Sequence, residues 1–253
     1  MTTTAATTLT AQLLQRSLPH IPSYGFTQRC VAASNPDVAA HTISSLFPGP
    51  DTASTSAPRR LFHAYDEHAL HSVLPSLDEG AGREVRMSPP SEQEERKRYD
   101  DVVEKLVERL RRSWDVRGAL VDGLANEARH PITHLLPLGR WSFDTIPTPL
   151  PLLQRSQAIT ARILTHPSLR YAESDTTQWY ATRARLAFAF VVAELHVASQ
   201  RAECEASQDL LRRVAHARDT SVLSDVLRLR GDANEWIRWG GRGWVGTLRS
   251  WGL

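Results

Sequence analysis

The chain has 253 residues, 30 Lys and Arg against 28 Asp and Glu, and a formal net charge of +2, too mild a balance to announce nucleic-acid binding. Its two cysteines, Cys30 and Cys204, cannot make a zinc site between them and read as ordinary thiols rather than a disulfide framework. No apolar run approaches the ~20 residues of a bilayer span, β-branched alternation is missing, and Ala, Leu, Arg and Glu dominate, so the expected class is all-α.

Residues 1–36 carry no acid but include Arg16, Arg29 and many threonines, the composition of a transit peptide. A helix starting near Leu9 leaves little room ahead of it for a cleavable presequence. Leu9, Leu13, Leu14 and Leu18 form its stripe, which stops before Pro19 and Pro22. Ser23-Tyr24-Gly25 turns the chain, and Thr27 is placed to cap a second helix over Cys30 to Ala33. Asp37 is the expected N-cap of a third, Val38 to Phe47, closed by Pro48-Gly49. Three short helices over residues 1–50 give a helix-turn-helix arrangement, with Val38–Phe47 in the recognition position. From Val31 to Pro58 there is no Lys or Arg, so phosphates would meet no cation. The segment reads as a retained scaffold rather than a DNA reader.

A helical ligand-binding domain is expected over residues 58–230. It opens with a helix from Arg59 to Leu77, followed by an exposed loop over 76–90 that contains Gly80, Gly82, Pro89 and Pro90. Ser91 and Glu94 form a capping box before a long helix to Trp114. Val103, Leu106, Val107 and Leu110 face its core, and its charges read as a solvated face. Helices over Asp115–Arg129 (Leu120, Val121 and Leu124 inward), Leu152–Leu164, Glu203–Arg218 and Ser221–Leu229 are expected, while His130–Leu150 is rich in Pro and poor in pattern.

No catalytic constellation stands out. A di-iron site needs two Glu-x-x-His motifs and two more glutamates; one such motif, Glu127 to His130, runs into Pro131. His63, His68 and His71, with Asp66 and Glu67, read as a solvated face. No phosphate loop or activated nucleophile is visible, so neither enzyme activity nor a metal or other cofactor is expected.

The central element is Asp175–His196, DTTQWYATRARLAFAFVVAELH. Its second half, Leu186 to Leu195, is apolar on every face except at Glu194, which implies burial on all sides. Phe188, Phe190, Val191 and Leu195 are offered to the interior, with Leu120, Leu124, Leu153 and Leu164 as candidate opposites. Such a set builds either a solid core or the wall of a lipid pocket. Trp179 and Tyr180 point about 100° apart and cannot both enter one core stripe. They form either an interaction patch or a staple between two helices.

Asp-Thr-x-x-Trp-Tyr-x-x-Arg followed by an apolar run ending in Glu-Leu resembles the mitochondrial ubiquinone-biosynthesis accessory family, the ninth of the Coq proteins. AQLLQRSLPHIPSYGFT is similar to that family's first helix and the tight loop after it, and the two matches cover roughly a third of the chain. The resemblance implies a TetR-like helical fold without DNA-reading function and a pocket for an isoprenoid lipid or ubiquinone intermediate. It also implies a location on the matrix face of the mitochondrial inner membrane. Asp175, Trp179, Tyr180 and Arg183 would then lie on the patch where the di-iron demethoxyubiquinone hydroxylase docks. A homodimer through the late helices is also compatible with a TetR-like fold. The competing reading is a TetR-like transcription regulator with an apolar effector pocket.

The tail, residues 232–253, holds four of the seven tryptophans. On a helical projection Trp236, Ile237, Trp244, Leu248 and Trp251 share one face, and Arg238, Arg242 and Arg249 gather opposite; Trp239 completes the expected membrane-binding set. Cations on one side and tryptophans on the other suit a helix lying in a membrane interface. The four glycines 240, 241, 243 and 246 each cost up to ~1 kcal/mol of helix propensity, so helix formation is expected only where a surface orders the tail. A tail packed back onto the protein is the alternative.

Overall fold

A computed structural model describes residues 2–51, 53–74, 91–128, 150–167, 169, 177–199 and 203–217. Among them the protein is all-α: α1 (Thr2–Ser17), a 3-10 turn (Leu18–His20), α2 (Ile21–Tyr24), α3 (Gln28–Ser34), α4 (Ala40–Leu46), α5 (Ala57–Val73), α6 (Glu92–Asp115), α7 (Arg117–Ala128), α8 (Leu150–Leu164), α9 (Thr177–Ala198) and α10 (Cys204–His216). No helix among the described residues is long and apolar enough to cross a membrane. The expected helix Ser221–Leu229, the loop 76–90 and the tail 232–253 lie outside the described residues.

The chain divides into two compact units that interleave in sequence. The first comprises Met1–Phe62, Ala119–Leu152 and His216–Leu253, and the second His63–Gly118 and Leu153–Ala215.

In the first unit α1 buries Thr10, Leu13, Leu14 and Ser17, while Leu9 stays 37% exposed. The stripe expected from Leu9 is therefore turned by one residue: Thr10, three before Leu13 and four before Leu14, takes the inward place. Thr27 caps α3 as expected, its hydroxyl accepting from the Cys30 amide at 3.1 Å. Gly25, at φ +69°, makes the preceding turn in a conformation that side chains rarely adopt. Asp37 is no N-cap. Helix α4 starts later, at Ala40, without a side-chain cap, and the Asp37 carboxylate pairs with Arg16 at 3.2 Å instead. Asn35 is fully buried and its amide donates to the Leu13 and Val31 carbonyls at 3.3 and 2.8 Å, fastening α3 to α1. Phe26 meets Phe62 edge-on at 4.9 Å, over Gly123 of α7, where a Cβ would stand 2.8 Å from the Phe62 ring. Arg59 of α5 and Glu127 of α7 form a buried ion pair at 2.9 Å.

In the second unit Ser91 and Glu94 close the capping box that starts α6, their side chains and amides bonding reciprocally. Tyr99 near the start of α6 donates to the Ala215 carbonyl at the end of α10, at 2.5 Å. Arg212 grips both oxygens of Glu104 at 2.8 and 3.0 Å. Ser156 of α8 donates to the Ala187 carbonyl of α9 at 2.6 Å. Contacts advance together along α6 and α9 (Arg109 with Phe190, Ser113 with Glu194) and oppositely along α5 and α6 (Tyr65 with Arg112, Asp66 with Arg109). Helices α6 and α9 thus run one way and α5 the other.

Candidate functional site

Helix α9 is nearly, but not wholly, enclosed. Leu186, Ala187, Ala189, Phe190, Val191, Val192 and Ala193 are buried. Phe188, Leu195 and His196 are half-buried, and Ala181, Ala184 and Arg185 are exposed. At 100° per residue these last six lie on one side of the helix. The expectation of burial on every side therefore needs correcting: the composition is apolar all round, but one side is only partly covered.

At the N-terminal end of α9, Tyr180 is 64% exposed. The half-buried Trp179 meets its ring edge-on at 4.9 Å, and the Arg183 guanidinium lies over the Trp179 ring at 4.3 Å. That stack fixes three side chains in one surface cluster by ring quadrupole attraction. Asp175 lies outside the described residues, as do Trp236, Ile237, Arg238, Trp239, Arg242, Trp244, Leu248, Arg249 and Trp251.

The apolar candidates separate. Phe190, Val191 and Leu164 are buried within the second unit, where Leu153 is half-buried, but Leu120 and Leu124 are buried core of the first.

What the interior of the second unit contains is a layer of four charges. Arg155 of α8 donates from Nε and Nη2 to the two oxygens of Asp66 on α5, each at 2.6 Å. The same guanidinium bonds Glu194 of α9 through Nη1, and through Nη2 at 3.1 Å. Arg109 of α6 donates to Asp66 at 2.6 Å and to the Ser113 hydroxyl at 3.0 Å, which in turn donates to Glu194 at 2.9 Å. All four charged residues are at most 7% exposed. The Arg109 guanidinium also lies over the Tyr65 and Phe190 rings, at 5.4 and 5.9 Å. Burial pushes the Asp66 carboxyl up, but Arg155 with its hydrogen bond, then Arg109 and His63, outweigh that and hold it below the usual carboxylate range. Burial pulls the Arg155 pKa down, yet Asp66 and Glu194 outweigh that and hold it well above normal. Burial also raises the Tyr65 phenol.

Two readings are thereby corrected. Asp66 does not belong to a solvated face: His63, Glu67, His68 and His71 around it are exposed, but Asp66 turns inward. Nor are all the charges of α6 solvated, because Arg109 is fully buried. The signal was present in the spacing. Val102, Leu106, Arg109 and Ser113 form one continuous seam, as do Phe62, Asp66, Ala69 and Val73. A charge inside an apolar seam, with opposite charges in the other seams, is the mark of a buried pair. Likewise Glu127, read only as the start of a lone Glu-x-x-His motif, is the buried partner of Arg59.

Among the described residues no group of His, Cys, Asp or Glu is arranged to hold a metal ion. Comparison with protein-family models, with curated proteins and with solved structures gives no match to this chain.

Proposed function

We propose that the chain is a non-enzymatic, lipid-binding accessory protein of ubiquinone biosynthesis. It works peripherally on the matrix face of the mitochondrial inner membrane, takes up an isoprenoid quinone intermediate and presents it to the demethoxyubiquinone hydroxylase. The observation that carries this reading is the Asp-Thr-x-x-Trp-Tyr-x-x-Arg stretch, whose Tyr180 stands at the surface while the helix it opens continues into the core. Exposed Trp and Tyr are the residue types that dominate interface energies, and the stack of Arg183 on Trp179 holds the cluster in one geometry before any partner arrives. The TetR-like element of the reading is supported by the short helices α3 and α4 near the start of a chain whose described residues are all-α. The exposed positions of α4, including His41, Ser44 and Ser45, offer no cation to a phosphate.

The test is mass spectrometry of lipid extracted from the full-length protein purified without detergent. A stoichiometric isoprenoid or quinone is the expected result, together with capture of the hydroxylase on the immobilised chain. An empty protein that still captures the hydroxylase would leave a membrane-associated scaffold with a solid core. Failure of both would remove the proposal.

A further inference from the structure

At about 100° per residue, Tyr180, Ala184, Phe188 and Leu195 of α9 fall within about 80° of one another, and they span about 22 Å of helix. Tyr180 is 64% exposed, Ala184 and the adjacent Ala181 are exposed, and Phe188 and Leu195 are half-buried. Two small side chains between two rings make a saddle, low at the alanines and walled by Tyr180 and Phe188. Arg183 lies about 60° beyond one edge of this strip and Arg185 about 60° beyond the other. The helix carries no acid before Glu194, and Glu194 is turned inward, 1% exposed. Lys105, Arg162 and Arg212, at the surface of the same unit, meet the carboxylates of Glu108, Glu67 and Glu104. Arg183 instead lies over the Trp179 ring, and among the described residues neither it nor Arg185 meets a carboxylate.

We propose that this strip seats an amphipathic helix of a partner protein, its apolar ridge in the saddle and its acidic flanks against Arg183 and Arg185. This partner chemistry rests on the reading of the first turns of α9 as an interaction patch. A ridge of large apolar side chains fills a groove of small ones. Carboxylates on both sides of the ridge would complete the two guanidiniums at the rim, where such pairs steer encounter and fix orientation.

Charge decides against the other occupants. A second copy of the chain, packed antiparallel about Ala184, would set Arg183 of one copy facing Arg185 of the other. Residues 236–253 of the chain itself would bring three arginines and no acid. A lipid surface is entered by apolar groups that stand out, whereas Phe188 and Leu195 are recessed.

The probe is a fluorescein-labelled helical peptide of about 18 residues, about five turns, with leucines on one face and glutamates on both flanks. A second peptide carries lysine at every glutamate position. Fluorescence anisotropy with the full chain should show the glutamate peptide bound at least about tenfold more tightly than the lysine peptide, with an affinity that falls as salt rises. Arg183→Glu/Arg185→Glu should invert that preference. Ala184→Gln, which fills the saddle with a neutral side chain, should weaken the glutamate peptide at least about tenfold while the melting temperature stays within about 2 °C of wild type. No binding, equal binding of both peptides, or a preference that the double reversal leaves unchanged would overturn the proposal. Anionic liposomes that float with the wild type but not with the double reversal, with no peptide bound, would assign the strip to lipid and overturn it too. Capture of the hydroxylase separates the two readings. Capture that neither variant weakens, with no peptide bound, removes the strip and leaves the proposed function; peptide binding that the reversal inverts, without capture, keeps the strip and removes the hydroxylase as its partner.

Discussion

Gly123 has no room for a side chain. A Cβ at that position would come within 2.8 Å of two atoms of the Phe62 ring and 3.0 Å of Phe26, and both rings are themselves buried and set edge to face. Gly123→Ala should therefore destabilise the protein by about 1–3 kcal/mol, despite the gain in helix propensity, because the ring pair must shift off its packing. Urea unfolding monitored by far-ultraviolet circular dichroism measures this; an unchanged or raised midpoint would show that the rings yield freely. The neighbouring Arg59–Glu127 pair makes a second case. Burial lowers the Arg59 pKa, and Glu127 opposes that by its charge and hydrogen bond. Glu127→Gln removes the carboxylate that the buried guanidinium meets at 2.9 Å and should cost about 3–5 kcal/mol in the same assay, whereas Arg59→Met/Glu127→Leu should recover most of it. A double variant no better than the single would show that shape, rather than charge, is what the site needs.

At the scale of elements, α9 joins two environments on one helix. Its first turns present Trp179, Tyr180 and Arg183, and its later turns fill the interior. If the cluster is an interaction patch, Trp179→Ala/Tyr180→Ala should abolish capture of the hydroxylase while lowering the melting temperature by no more than about 2–4 °C, the shift worth roughly 1 kcal/mol in a chain of this size. A fall several times larger, measured by calorimetry, would mark the pair as a staple of the fold. Much of this element could be read in advance. The capping box of α6, the Thr27 cap of α3 and the extent of α9 follow from local chemistry that neighbouring residues settle among themselves. Asp37 could not be read that way. Its alternative partner, Arg16, stands 21 positions away, and nothing local says that a carboxylate after Pro36 will prefer a guanidinium to an amide. The buried layer escaped for a related reason: Asp66, Arg109 and Glu194 each sit in an apolar seam or run of their own helix, but the partners that hold their charges there stand on other helices, 39 to 89 positions away. Leu9 shows a finer limit, since a hydrophobic stripe fixes which side of a helix is buried only to within about one residue.

For the whole molecule, the proposed membrane role rests on residues 232–253, with their four tryptophans and three arginines. Truncation after Gly231 should abolish flotation with liposomes containing anionic lipid, and the full chain should lose flotation as salt rises, because part of the attraction is screened charge. Flotation retained after truncation would place the membrane-binding surface elsewhere. The all-α class follows from composition alone. The interleaving of the two units does not, because periodicity reports which face of a helix is buried and not which other helix buries it.

The second unit also sets a condition on synthesis. Arg155 must find Asp66 from 89 positions away, and Ser113 waits 81 positions for Glu194. Until α9 has left the ribosome, the seams of α5, α6 and α8 each carry a charge without its full set of counterparts, and water is the better host for such groups. The growing chain is thereby kept from settling around an incomplete set of helices, and closure comes late, because the contacts that complete it join residues far apart in sequence. Chains stalled just before and just after Glu194 emerges should differ sharply in resistance to brief proteolysis, with protection of α5 and α6 arriving only in the longer one. Equal protection in both would mean that three helices suffice to bury their charges.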